Sequence, residues 1–175
     1  MKKTILFLLT GLCAAVCAQS TETLSLFTDG AFNKGYGQGW WLNRGVSRKA
    51  KANIVKEGSN SMLKIEAGEK GVAHICSDNT FTLDRKGTLH ISIRVKGEGT
   101  FTCGLYAYTD QGRFISSYSA KPQQIKAAKW TTLKFTYPLS HVRKDGSKGR
   151  IVLYQTGKGN ILVDDFRGNL IRMTE

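Results

Sequence analysis

The sequence predicts an all-β fold, a sandwich or barrel of short antiparallel strands. Three observations carry that reading. Apolar and polar side chains alternate with a period of two along several stretches, the mark of strands with one face in a core and one outside. Glycine-bearing turns separate those stretches. Past the N-terminus, no segment reads as a long amphipathic helix. Many short strands joined by such turns close into a sandwich or a barrel.

In chain order, the first element is a leader. The sequence opens MKKTILFLLTGLCAAVCAQS: Lys2 and Lys3, an apolar run over residues 4 to 17, then small residues at Val16-Cys17-Ala18. Residues 1–18 read as a secretory signal peptide, too short and wrongly flanked for a membrane span. A lipid anchor fits poorly, because Cys17 follows Val16 and Cys13 follows Leu12. Residues 19–175 are then expected to form one domain of an exported bacterial protein, located in the periplasm, on the cell surface or outside. No later segment is apolar enough to span a bilayer.

The stretch GQGWWLNRG, residues 37 to 45, places two tryptophans side by side. Neighbours on an extended chain point to opposite faces. Trp40 shares a face with Leu42 and is assigned to the core; Trp41 is assigned to the outside as a platform or groove wall. Further on, Leu89, Ile91, Ile93 and Val95 alternate with His90, Ser92, Arg94 and Lys96. Phe101, Cys103, Leu105 and Ala107 alternate with Thr102, Gly104, Tyr106 and Tyr108. Leu133, Phe135 and Tyr137 follow, then Ile151 with Leu153 and Ile161 with Val163. Turns are expected at Gly97-Glu98-Gly99, Asp110-Gln111-Gly112, Asp145-Gly146 and Gly157-Lys158-Gly159. Trp130 is expected in the core.

Charge narrows the function. Lys and Arg number 26 against 13 Asp and Glu, a formal net charge of +13. In a cytosolic protein that balance would suggest nucleic acid; in an exported one it suits acidic glycans or anionic surface polymers. Cys76 and Cys103 remain after the leader, in an oxidising compartment, either as a disulfide or as buried thiols. No GxSxG, HExxH or phosphate-binding glycine loop is present. Asp164 and Asp165 are adjacent, so on a strand they diverge and make a poor acid–base pair. His74, His90 and His141 lack metal-ligand spacing, although His74 and His90 are candidates to meet on one face of neighbouring strands. No catalytic residue is therefore assigned.

The order of segments resembles carbohydrate-binding modules of families 4, 9 and 22, within the galactose-binding-like group. The opening LFTDGAFNKGYGQGWW (26 to 41), the middle KGTLHISIRVKGEG (86 to 99), KWTTLKFTY (129 to 137) and the closing GKGNILVDDFRGNLI (157 to 171) carry it. The resemblance implies a jelly-roll β-sandwich of two antiparallel sheets, without catalytic activity, holding a glycan on a concave sheet or at the loops. It also implies a structural calcium near the first and last strands. Here Asn33 and Ala31 replace the acidic residues of the opening motif; Asp29, Asn33 and Asp165 (or its neighbour Asp164) are the remaining candidate ligands.

A sugar presents apolar C–H faces and polar edges, so its site wants flat rings with donors and acceptors. The face opposite Leu105 carries Tyr106 and Tyr108, and the corresponding face of the preceding strand carries His90 and Arg94. Tyr154, out of phase with Ile151 and Leu153, joins them. The expected ligand-binding set is Trp41, His74, His90, Arg94, Tyr106, Tyr108 and Tyr154, with Arg94 suited to a uronate or sulfate. The first reading is an exported, non-catalytic protein that binds a poly- or oligosaccharide of acidic or neutral type. The alternatives are a small polysaccharide lyase using His74, His90, Arg94 and Tyr108, and a structural or adhesive surface protein with assembly partners.

Overall fold

A computed structural model describes residues 20–26, 30–33, 39–68 and 71–174. The expected leader, residues 1–18, lies outside them, as does Asp29. The strands are β1 (Ser20–Ser25), β2 (Trp40–Leu42), β3 (Lys51–Glu57), β4 (Asn60–Glu66), β5 (Val72–Ser77), β6 (Phe81–Thr82), β7 (Thr88–Tyr108), β8 (Phe114–Ser119), β9 (Gln123–Pro138), β10 (Lys148–Thr156) and β11 (Asn160–Thr174). The only helical element among the described residues is a single 3-10 turn, Leu139–His141. Every strand pair is antiparallel. This is the all-β jelly-roll sandwich that the alternation and the resemblance predict.

The hydrogen-bonded order runs β2-β5-β10-β7-β11-β4-β3, so β7 belongs to both layers. Its second half, residues 100–108, pairs with β10 on one side and β8 on the other. Its first half, residues 88–95, pairs with β11 and β9. Where the sequence suggests a turn, at 97–99, the chain instead runs on as one strand and bends from one sheet into the other. Gly97 and Gly99 make the bend at φ of 126° and 143°, a region side-chain-bearing residues avoid. A Cβ on Gly97 would lie 2.1 Å from the Asn160 carbonyl oxygen, and one on Gly159 2.1 Å from that of Glu98. The corner and the 157–159 turn therefore close on each other backbone to backbone.

One core fills the space between the layers. Leu89, Ile91, Ile93 and Val95 from the first half of β7 join Phe101, Cys103, Leu105 and Ala107 from the second, with Leu63, Ile65, Ile75, Ile151, Leu153, Ile161 and Val163. Trp40 is 2 % exposed in this core, its ring against Phe32 and Phe166 at centroid separations of 5.8 and 5.1 Å. Near that corner the Phe166 amide donates to the Gly30 carbonyl, which ties the opening segment to the closing strand. Asp164 is buried and accepts from Asn60 Nδ2 and from the Asp165 amide, while Asp165 turns outward at φ 46° in a bulge. The bulge does not send the two carboxylates to opposite faces as expected: both approach the Arg94 guanidinium, Asp165 at 2.8 Å and Asp164 at 4.0 Å.

One open alternative is settled and two expectations need correction. Cys76 and Cys103 are free and buried. They sit on β5 and β7 with β10 between them, two strand spacings apart, and Cys103 faces the core while Cys76 faces away; no disulfide spans that arrangement. Trp130 is half-buried on the outside, under the guanidinium of Arg94 at 5.1 Å. It is in phase with Lys134 and Thr136, not with Leu133 and Phe135. Finally, His90 and Arg94 do not share a face with Tyr106 and Tyr108. The bend keeps inward residues inward in both halves of β7, so the outward residues of the two halves lie on opposite sides of the sandwich.

Candidate functional site

Removing core-facing residues from the β2-β5-β10-β7-β8 sheet leaves its outer face. Strand alternation puts Trp41 there from β2, His74 and Cys76 from β5, Arg150, Val152 and Tyr154 from β10, and Tyr106 and Tyr108 from β7. These residues form a second apolar cluster, separate from the main core: Cys76, Tyr106, Val152 and Tyr154 buried, Trp41 and Tyr108 packed against them.

Register explains the shape. Trp41, Cys76, Val152 and Gly104 stand in one row across four strands. Past Trp41 that row is small, so the large ring beside it can lie down over it. Tyr106 starts opposite Arg150, and its hydroxyl meets His74 Nδ1 at 2.5 Å, reaching across β10 to β5. Asn43 Nδ2 donates to the same hydroxyl at 3.4 Å. Tyr106 is 6 % exposed and Tyr154 8 %, so these two form a floor rather than open platforms. Trp41, Tyr108 and His74 are half-buried around them, and Phe114, 53 % exposed, stands at the rim with its ring 5.9 Å from that of Tyr108.

Burial governs the ionisation of the floor. It pushes the Tyr106 phenol up to about 12 and the Cys76 thiol up to about 12. It raises Tyr108 and Tyr154 as well, and lowers the His74 imidazole. A neutral imidazole and a protonated phenol make a consistent chain: Asn43 donates to Tyr106, Tyr106 donates to Nδ1 of His74, and Nε2 of His74 is left as the donor.

The residue that sequence reasoning missed is Arg150. Its guanidinium lies 5.5 Å from the Trp41 ring and 5.7 Å from the Tyr108 ring, within cation–π range of both. The signal was present: Arg150 has the phase of Tyr154, opposite to Ile151 and Leu153. Phe114 was missed too, because it follows the Asp110-Gln111-Gly112 turn and shows little alternation of its own.

The expected set thus divides. Trp41, His74, Tyr106, Tyr108 and Tyr154 come together. His90 and Arg94 lie on the outer face of the other sheet. There His90 lines a hollow of about 280 Å³ with Ser92, Lys134, Thr136, Arg167 and Asn169. Arg94 is not free to hold an anion in the way expected, since it pairs with Asp165 at 2.8 Å. The expected calcium ligands, Asp29, Asn33 and Asp165, lie only partly within the described residues. Asp29 falls outside the described residues, Asn33 is exposed, and among the described residues no three His, Cys, Asp or Glu side chains lie together as metal ligands. A cation at Asp165 would have to displace the Arg94 guanidinium.

No family model matches the sequence, and no curated protein matches it. Solved structures do match. The CBM22-1 xylan-binding domain from Paenibacillus barcinonensis is 18% identical, with 90% of this chain and 99% of that chain covered at a TM-score of 0.57. An arabinose-bound α-L-arabinofuranosidase is 18% identical over 82% of this chain at a TM-score of 0.60, and this chain spans 26% of that enzyme. A Stig cyclase from Fischerella sp. TAU, in complex with a pyrrolidinylidene indole, is 13% identical over 88% of this chain and 100% of its own at a TM-score of 0.61. The chain therefore shares its β-sandwich fold with a xylan-binding module, part of a glycosidase and a cyclase. At these identities the likeness shows the fold alone.

Proposed function

We propose that this chain is an exported, non-catalytic glycan-binding protein. It holds a poly- or oligosaccharide on the outer face of the β2-β5-β10-β7-β8 sheet. The observation that supports this best is the aromatic cluster itself: five rings and an imidazole on the side of a sheet that turns away from the core. Trp41, Tyr108 and Phe114 offer faces to sugar C–H groups; His74 and Asn43 offer polar edges. Each stacked ring adds on the order of 1 kcal/mol beyond area burial. The structural likeness to a xylan-binding domain agrees with this reading.

A lyase is the second reading, and one observation favours it: the Asn43–Tyr106–His74 hydrogen-bond chain beside a cation. Against it, a phenol is already protonated at neutral pH and burial raises that of Tyr106 further, so it is a poor base. A panel of soluble polysaccharides, read by retardation in native gels and by ultraviolet absorbance, separates the readings. Retardation without new absorbance is expected. Absorbance from an unsaturated uronate would establish the lyase, and no response to any polymer would leave a protein-binding surface role.

A further inference from the structure

Arg150 is out of balance with its surroundings. It is half-buried, and its Nε is buried with no hydrogen-bond partner. Arg94 is provided for by Asp165, Arg143 by Asp145 and Arg85 by the Val142 and Ser140 carbonyls; the Nε of Arg172 is also buried without a hydrogen-bond partner, but that guanidinium has Asp84 at 3.9 Å and donates from another nitrogen to the Thr82 carbonyl. Arg48, Arg113 and Arg167 are exposed, where water serves them. The carboxylate nearest in register is Asp78, two residues beyond Cys76 on the chain; its Oδ2 accepts from the Gly39 amide, and it makes no ion pair with Arg150. Two rings hold the guanidinium in place without offering its N–H groups an acceptor. A second group on the same face of β10 is in the same condition. The Tyr154 hydroxyl is buried and unpartnered, on a residue 8 % exposed. Buried donors without acceptors are costly, and among the described residues no carboxylate pairs with Arg150 or Tyr154 on this aromatic face.

We infer that the glycan held on this face is anionic, and that Arg150 receives its carboxylate or sulfate group. The inference rests on the glycan-binding reading above and names its ligand class. Both anions offer oxygen pairs that match the guanidinium fork. The flanking Trp41 and Tyr108 rings keep the fork aimed outward and hold water off it.

The test uses matched polymers on one backbone: polygalacturonate against its fully methyl-esterified form for the carboxylate, and dextran sulfate against dextran for the sulfate. Affinities are measured at 0.15 M salt, roughly physiological ionic strength, for wild type, Arg150→Gln, Arg150→Lys and Arg167→Gln, with melting temperatures to show that each variant folds. Wild type is expected to prefer at least one charged polymer over its neutral partner by about tenfold, a size appropriate to one charge-assisted pair. Arg150→Gln should bring that ratio to within about twofold, Arg150→Lys should fall between, and Arg167→Gln should leave it unchanged. Equal losses in Arg150→Gln and Arg167→Gln would mean that overall charge alone draws the polymer, and the inference fails. Binding of neutral polymers with no preference for charge also overturns it, while the glycan-binding reading stands. If neither these polymers nor the wider panel is held at all, that reading fails first and takes the inference with it.

Discussion

Trp40 and Trp41 are neighbours with different work. Trp40 is enclosed by Phe32, Phe166 and the sheet core, so Trp40→Ala opens a cavity and is expected to cost about 3–5 kcal/mol of stability. Trp41 stands on the outer face over Arg150. Trp41→Ala is expected to leave the melting temperature within a few degrees of wild type while weakening glycan retention about tenfold. Parallel melts and gel retardation check both, and a large thermal loss in Trp41→Ala would place that ring in the fold's support instead. At this scale the sequence was informative wherever a residue sat inside a clear alternation. The same parity would have placed Arg150 with Tyr154, and Trp130 outside with Lys134. Tyr106 shows what parity cannot give. It fixes the face, but whether a ring stands up or lies down depends on the size of the residues in the next row, here Cys76, Val152 and Gly104.

At the level of elements, strands and most turns were legible because alternation and glycine spacing are local signals. The 97–99 segment misled for a physical reason. A glycine pair supplies positive φ equally well for a reversal and for a bend that carries a strand into the opposite layer. Taking it as a reversal puts the two halves of β7 side by side, with His90 and Arg94 beside Tyr106 and Tyr108. Taking it as a bend separates them across the sandwich, and only the long-range pairing with β10 and β11 decides between the two. Gly97→Ala tests the bend: its Cβ would meet the Asn160 carbonyl at a φ unfavourable to alanine. A loss of about 2–3 kcal/mol in a denaturant titration is expected; an unchanged midpoint would mean that β7 does not cross there.

For the molecule as a whole, the sandwich offers two outer faces of different character. One, on the β3-β4-β11-β7-β9 side, is polar, and its arginine near the bulge is neutralised by Asp165. The other carries the ring cluster with a guanidinium whose Nε has no partner among the described residues. Net charge alone would draw anionic polymers to either, so where on the molecule the polymer sits separates specific binding from general attraction. The most direct measurement is a nuclear magnetic resonance titration of the 15N-labelled protein with an oligosaccharide of whichever polymer it retains. The Trp41 indole signal and the amides of His74, Tyr106, Tyr108, Arg150 and Tyr154 are expected to shift together and saturate with one affinity. Shifts confined to Ser92, Lys134, Arg167 and their neighbours on the opposite sheet would contradict that expectation.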